Sequence, residues 1–194
     1  MRLITLFFLI SVNACSIAGA PPSDPVRVND SGVAIDGFSP VSYFTEGKPE
    51  LGDPAYATLH NGVSYWFTST QQQSLFDADP ERYIPAHGGW CTLMMGGSGR
   101  RTPGHPESYA IVNERLMLFW SGDTEDTKGM GIRNWKSQTN ETIEGETEVV
   151  ENADNNWAEF LSGERRAQIW LYKRSDNAGI NESQREDARE NYID

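Results

Sequence analysis

A histidine and a cysteine four residues apart are the side chains of this sequence best suited to chemistry. His87 and Cys91 flank Gly88 and Gly89, so a turn can bring an imidazole and a thiolate to one metal ion such as copper, zinc or iron. Further ligand candidates follow along the chain, namely Met94, Met95 and His105. The pattern predicts a metal site on these residues. The alternative is that Cys91 and the methionines fill a core while the histidines lie in loops.

The same cysteine also suits a thiol nucleophile. A thiolate at Cys91 needs a base, which His87 or His105 can supply, and an oxyanion donor such as the Gly88 amide. No acid or carboxamide is placed in the sequence to orient that base. A thiol-dependent enzyme is therefore the alternative to a non-catalytic binding module, and we expect the module.

Arginines and aromatic residues indicate two further binding features. Arg100 and Arg101 end a glycine-rich stretch and form the one concentrated positive charge in the sequence of the domain, so they are candidates for an anion contact. A pocket for a small ligand is expected near the cysteine, lined by Tyr43, Tyr65, Trp90 and Asp36. Asp36 precedes a glycine, and a turn-forming role is the alternative for it.

The N-terminus carries the features of an export signal over residues 1–20. Residues 3–12 form an apolar run of signal-peptide length that is too short to span a bilayer as a helix. Residues 12–15 resemble a bacterial lipobox, which makes Cys15 the predicted site of lipidation and of membrane anchoring. Cleavage after Ala20 is the alternative. We expect an exported protein of the bacterial cell envelope, either a membrane-anchored lipoprotein or periplasmic.

Net charge and cysteine count exclude several classes of protein. The chain has 16 basic and 28 acidic residues, and removal of a signal takes away only Arg2, which leaves a net charge of −13. Such a surface repels phosphate backbones and anionic headgroups, so we expect neither nucleic-acid binding nor a polybasic membrane contact. With Cys15 lipidated or removed, Cys91 is the last cysteine, and no intramolecular disulfide can form.

Two hairpins and a helix are expected to position these residues. Asn61-Gly62 supplies the positive φ angles of a two-residue hairpin turn, and Asn113-Glu114 divides a second pair of strands, the later of which is apolar throughout and predicted to be buried. Ser69 begins a capping-box pattern, and the helix after it has an apolar stripe formed by Leu75, Phe76 and Ala78. This order predicts an α+β fold in which helices pack against a small antiparallel sheet of two hairpins.

Composition divides the chain into four parts. A proline-rich linker at 21–32 follows the signal, and a domain at 33–161 follows the linker. The stretch 121–161 has ten acidic and three basic residues, and we expect loops and a helix there that offer an alternative surface for an envelope protein partner. Residues 162–194 are polar and nearly charge-balanced, so we expect an appendage of marginal helix or disorder.

Five ordered blocks carry a resemblance to a known family. The first reads VAIDGFSPVSYFTEGKP at 33–49, and the others lie at 52–56, 75–85, 88–91 and 152–157. Together they extend over about 125 residues and resemble an exported protein of the YHS domain family. The resemblance implies a small α+β fold, often exported, and metal association, because some relatives are fused to heavy-metal transporters and carry paired cysteines.

This sequence is a single-cysteine variant of that pattern. It has no Cys-x-x-Cys, and His87 stands where the family usually has an aromatic residue before Gly-Gly. We therefore expect an exported, lipid-anchored, YHS-like binding module that holds a small ligand or a metal ion.

Overall fold

The structure is a computed structural model that describes residues 25–166, 168–172, 179–189 and 192–193. Helices pack against two small antiparallel sheets of two strands each, which confirms the predicted α+β class. In chain order the elements are α1 (Ser42–Thr45), β1 (Asp53–His60), β2 (Val63–Phe67), α2 (Thr70–Ala78), α3 (Pro80–Tyr83), α4 (Thr92–Ser98), β3 (His105–Val112), β4 (Arg115–Phe119), α5 (Met130–Thr139), α6 (Ile143–Ser162), β5 (Leu171–Tyr172), α7 (Glu182–Ala188) and β6 (Tyr192–Ile193). Short 3-10 turns lie at Ile35–Gly37 and Ala86–Gly89.

Both predicted hairpins are present, and each forms its own sheet. The turn Asn61-Gly62 has φ angles of 50° and 80° and joins β1 to β2, while Asn113-Glu114, with φ angles of 49° and 59°, joins β3 to β4. Residues 116–119 of β4 are buried, as their apolar run predicts. This strand pairs with β3 and also bridges to Cys91 through Leu118.

An aromatic core lies between the first hairpin and α2. Ser69 accepts a hydrogen bond from the Gln72 amide and begins the helix, as its capping pattern predicts. The ring of Phe76 lies 4.9 Å from that of Tyr65 and 5.1 Å from that of Phe67. Aromatic packing therefore holds α2 on the hairpin.

The buried face of α2 differs from the predicted stripe. Phe76 is buried, but Leu75 and Ala78 are exposed. The other buried residue of this helix is Gln72, one turn before Phe76, because residues four apart share a helix face whereas neighbours point about 100° apart. The Gln72 amide oxygen accepts from the Ser39 hydroxyl at 2.7 Å, which gives this buried polar group a partner.

The acidic stretch forms α5 and α6, and α6 is a helix of 20 residues. Val150, Ala153 and Phe160 form its buried face, and it packs against α4. A Cβ on Gly96 would lie 2.8 Å from the Val149 carbonyl oxygen, so glycine permits this close approach. Seven of the ten acidic side chains of this stretch are exposed, and three of them, Glu144, Glu148 and Glu151, lie on the solvent side of the amphipathic helix α6.

The described residues beyond 162 pack against the rest of the fold and include the short helix α7. Their four buried apolar side chains cluster around Trp90 and are Ile169, Leu171, Ile180 and Ala188. Backbone hydrogen bonds join Arg101 to the carbonyl of Gln168 and Trp170 to that of Arg101. A few apolar residues spaced along a polar segment are enough to dock it on a large indole ring.

The predicted linker at 21–32 is ordered in its described part, residues 25–32. Val28 is buried and bridges to Ala34, and the Gln184 side chain of α7 donates to the Val26 carbonyl. The predicted signal and Cys15 lie outside the described residues. Within the part of the chain that the structure describes, no helix is long and apolar enough to cross a membrane.

Candidate functional site

Because of the turn at Ala86–Gly89, the His87 and Cys91 side chains point in different directions. His87 and Gly88 both have positive φ angles, 55° and 62°. A Cβ on residue 88 would lie 2.7 Å from the Pro25 carbonyl oxygen, so this position requires glycine. The turn places His87 beside α6, whereas Cys91 precedes α4 and bridges to β4.

His87 has a partner at each ring nitrogen. Its Nε2 lies 2.9 Å from Asp154 Oδ1, and its Nδ1 lies 3.1 Å from the Thr92 hydroxyl. Because an ionised carboxylate only accepts, Nε2–H donates to Asp154, and in the neutral ring Nδ1 accepts from Thr92. The His87 side chain is 0% exposed. Neither nitrogen is open to a metal ion or to a substrate proton.

Arg115 extends this network from β4. Its two terminal nitrogens each donate to one oxygen of Asp154 at 2.8 Å, in a bidentate pair. Partial burial opposes ionisation of Asp154, but the hydrogen bonds from Arg115 and His87 outweigh it and hold its pKa well below its usual range. The hydrogen bond to Asp154 also raises the pKa of Arg115. We call His87, Asp154 and Arg115 the polar network.

A cleft of about 680 Å³ lies beside the polar network. The N-terminal segment, the turn of the first hairpin, the residues after α3 and the end of α6 form its walls. Its main apolar lining residues are Val26, Val28, Val63, Ile84, Trp157 and Leu161. Its polar lining includes His60, Glu81 and Arg115. The cleft thus combines an apolar wall with a few polar groups, as small-molecule sites do.

The polar groups of the cleft are partly engaged with each other. His60 Nε2 lies 3.5 Å from the Glu81 carboxylate and 3.0 Å from the Asn61 side-chain amide. The Arg115 side chain is 43% exposed, and Asp154 takes two of its five N–H donors. Arg115 can therefore offer further N–H donors to a ligand while Asp154 holds it in place.

Cys91 lies in a different environment, the apolar core between α4 and β4. It is 1% exposed and packs with Leu93, Met117 and Phe119. Burial raises the pKa of its thiol, against backbone hydrogen bonds that include that of Met94. The thiol is therefore neither ionised at neutral pH nor accessible from the cleft, which agrees with the alternative of a small core residue.

Tyr43 and Tyr65, two of the predicted pocket residues, are core aromatics. The Tyr43 hydroxyl donates to the Pro106 carbonyl at 3.0 Å, and burial raises its pKa. Tyr65 is 2% exposed, and burial raises its pKa as well. Of the two, Tyr65 contributes to the wall of the cleft.

Trp90 and Asp36, the other two predicted pocket residues, are engaged elsewhere in the fold. Trp90 is 0% exposed, and its indole N–H donates to the Pro25 carbonyl. Asp36 has a φ of 53° in the first 3-10 turn and accepts a hydrogen bond from the buried Arg27. The backbone of Gly179 lies directly against this ion pair. The four predicted residues therefore do not line one pocket.

The predicted anion contact is made of arginines that already have partners. Arg101 is 8% exposed, donates to the Asp187 carboxylate at 2.8 Å and lies 4.5 Å from the centre of the Phe160 ring. Arg100 lies 3.8 Å from the centre of the Trp170 ring. An anion would have to compete with these contacts.

The four predicted metal ligands are distributed over three places. His87 belongs to the polar network, Cys91 and Met94 belong to the core around β4, and His105 borders a second, smaller cavity. Among the residues that the structure describes, no group of three or more His, Cys, Asp or Glu side chains is arranged to hold a metal ion.

Asp154 and Arg115 are functional candidates that sequence patterns did not reveal. Asp154 lies 67 residues from His87, and spacing cannot pair side chains so far apart. The one available signal was the block at 152–157, which contributed to the family resemblance without a role for its carboxylate.

Comparisons with known proteins identify no relative of this chain. No family profile, no curated protein and no solved structure matches the chain. The relation to the YHS domain family therefore stays a prediction, and function has to be argued from the site.

Proposed function

We propose that this protein is an exported, non-catalytic binding module that holds a small organic ligand in the cleft beside the polar network. The observation that carries the proposal is the cleft itself. Its volume of about 680 Å³ lies within the range of roughly 300–1,000 Å³ that is typical of small-molecule sites. Its lining suits a ligand with an apolar or aromatic body and one hydrogen-bond-accepting group.

Trp157 and Arg115 are the side chains that we assign to ligand recognition. The Trp157 ring meets the His87 ring edge to face at 6.5 Å and the Phe160 ring at 5.2 Å, so it is held in place as a flat apolar surface. Asp154 fixes the Arg115 guanidinium by a bidentate pair, so little side-chain entropy is lost when Arg115 binds an acceptor. A rigid aromatic ring beside a fixed donor favours binding without a large rearrangement.

The site supports binding rather than turnover by a thiol. Cys91 is 1% exposed, and burial raises its pKa, so the thiolate that nucleophilic catalysis requires is scarce and out of reach. His87, the nearest candidate base, has Thr92 and Asp154 on its two nitrogens. We therefore favour the module over the thiol-dependent enzyme.

Dye titration of the full-length chain tests this proposal. The probe is 8-anilinonaphthalene-1-sulfonate, which has an aromatic body and an acceptor group and fluoresces in apolar sites. We expect Trp157→Leu and Arg115→Lys each to weaken binding by about fivefold or more, since the loss of an aromatic contact or of a bidentate fork costs about 1 kcal/mol. Trp170→Leu is the matched control, because Trp170 does not line the cleft.

Equal dye binding by the wild type and both cleft variants would contradict the proposal. Circular dichroism of each variant has to match the wild type, because a loosened core also binds this dye. The two variants differ in chemistry, so a folding defect in one leaves the other as the test.

Export, the lipid anchor at Cys15 and the YHS relationship belong to the same proposal, and sequence patterns alone support them. The cleft includes Pro25 and Val26, which lie within the predicted linker at 21–32 and about ten residues after Cys15, so an anchored protein would carry its ligand close to the membrane. Mass spectrometry of the mature N-terminus distinguishes an acylated Cys15 from cleavage after Ala20.

Metal association stays a prediction of the family resemblance. The arrangement of His87, Cys91, Met94 and His105 does not support it, since these side chains lie in three places. Elemental analysis of the chain purified without chelator decides it. Copper, zinc or iron in stoichiometric amount would revive a metal role, with ligands to be found by mutation.

A further inference from the structure

The second cavity, of about 340 Å³, lies where β3 departs from β4. The register of the two strands jumps between His105 and Tyr109, so residues 106–108 form a bulge. The opposite wall is the loop after β4, at 121–129. This loop is held by hydrogen bonds of its own, including one from the Gly129 amide to the Ser121 hydroxyl at 2.8 Å. The cavity is therefore preformed.

The lining of this cavity is acidic. It carries the carboxylates of Glu107, Asp123 and Glu125 and the single ammonium group of Lys128, an excess of two negative charges. His105 also lines it, and its Nδ1 accepts from the Glu107 amide at 3.1 Å. Burial lowers the pKa of His105, so its ring adds no positive charge at neutral pH. The charges favour a cationic ligand.

Ser108 gives a second, independent indication of a ligand. This residue of the bulge is 2% exposed and forms part of the cavity wall. Within the described residues its hydroxyl has no hydrogen-bond partner. A buried hydroxyl without a partner is costly, and a ligand that brings an N–H donor removes the cost.

A metal ion does not fit these observations. No three His, Cys, Asp or Glu side chains of the described ranges, the cavity included, are arranged to coordinate one. We propose that the cavity at the β3 bulge binds a small organic cation with primary ammonium groups, through Glu107, Asp123, Glu125 and the Ser108 hydroxyl. The ammonium N–H groups donate to the carboxylates and to the Ser108 oxygen. This site is separate from the cleft of the proposed function, and its success or failure does not depend on that function.

Calorimetric titration of the full-length chain with 1,4-diaminobutane at low salt tests the proposal. Succinate, a dianion with the same carbon count, is the control ligand. We expect the diamine to bind and succinate not to bind. The double variant Asp123→Asn with Glu125→Gln should bind the diamine about fivefold more weakly than the wild type, because each exposed charge contributes up to about 1 kcal/mol. Glu151→Gln, an exposed acid on α6 outside the cavity, should bind it like the wild type.

Ser108→Ala separates ligand binding from stability. The substitution removes an unpaired buried hydroxyl, so we expect the free protein to be at least as stable as the wild type while its affinity for the diamine falls. Absence of diamine binding, equal binding of succinate, or unchanged affinity in both the double variant and Ser108→Ala would overturn the proposal.

Discussion

The polar network around His87 and the apolar surroundings of Cys91 begin on one stretch of backbone but stabilise the protein in different ways. His87 is hydrogen-bonded to the ionised Asp154 carboxylate and to the Thr92 hydroxyl at the wall of a cleft. Cys91 contributes volume to an apolar core in which Met117 and Phe119 of β4 are fully buried. Positive φ angles at three successive residues, His87, Gly88 and Gly89, turn the chain sharply, so the His87 and Cys91 side chains enter different parts of the fold. Two residues at a His–Cys spacing can bind one metal ion only where the turn between them points both side chains to the same place.

Trp90 lies between His87 and Cys91 in the chain and packs against a third part of the molecule. It is 0% exposed, packs against the C-terminal segment and donates its indole N–H to the Pro25 carbonyl at 2.9 Å. The side chain between the network and the thiol therefore points in a third direction. Within five residues of chain, His87, Trp90 and Cys91 thus each join a different part of the molecule.

Among the substitutions in this turn region, Trp90→Ala should lower the free energy of unfolding the most. We expect a loss of about 3–5 kcal/mol in the free energy of unfolding, because a fully buried indole is removed and its cavity cannot refill from a turn made rigid by glycine contacts. Trp90→Phe keeps most of the apolar area and loses the hydrogen bond to Pro25, so about 1 kcal/mol is expected. Urea denaturation measures both. Equal losses in the two variants would show that the hydrogen bond, and not the packing, holds the turn.

Asp154→Asn should weaken the polar network and leave the core around Cys91 unchanged. The amide keeps only one acceptor oxygen, and its NH2 group faces an N–H donor of the network, so we expect a loss of about 1–2 kcal/mol at neutral pH, discounted for the partial exposure of Asp154. Glu151→Gln on the same helix is the matched control and should change the free energy of unfolding by less than about 0.5 kcal/mol. A loss no greater than that of the control would mean that the network contributes nothing to stability.

The same variant should change the response to acid. The folded state holds the pKa of Asp154 below its ordinary value of 3.8, so its contribution is fully present above that value and is lost as the pH falls towards the folded pKa. Between pH 5 and pH 2, roughly, the wild type should therefore lose more stability than Asp154→Asn. Urea midpoints over this range measure the difference, and parallel curves would contradict it.

The turns, the helix cap and the buried strand could be predicted from the sequence, because neighbouring residues determine them. The Asn61-Gly62 turn, the cap at Ser69 and the buried strand after Glu114 depend on residues close together in the chain, and all three appear in the structure. The face of α2 was less certain, because one turn of helix offered both Leu75 and Phe76 to the core and only packing chose between them.

The site was less predictable because its parts come from distant segments. The polar network joins a turn, a strand and a helix, and Arg115 is 39 residues from Asp154. The docked C-terminal segment was missed for a related reason, since average polarity hides apolar residues such as Ile169 and Ile180 that are spaced to meet one surface. The direction of the His87 and Cys91 side chains depends on the positive φ angles of residues 87–89, which the spacing does not reveal.

Cys91→Ala should affect only the apolar core around β4. Its effect on stability should be smaller than those of Trp90→Ala and Asp154→Asn. One buried heavy atom is removed, so we expect a loss of about 1 kcal/mol and unchanged dye binding in the cleft. In the wild type, a thiol reagent should react with Cys91 in the unfolded state in urea and only slowly in the native state, because burial both shields the thiol and raises its pKa. Rapid native reaction that is absent from Cys91→Ala would place the Cys91 thiol at the surface and return the thiol-dependent enzyme to consideration.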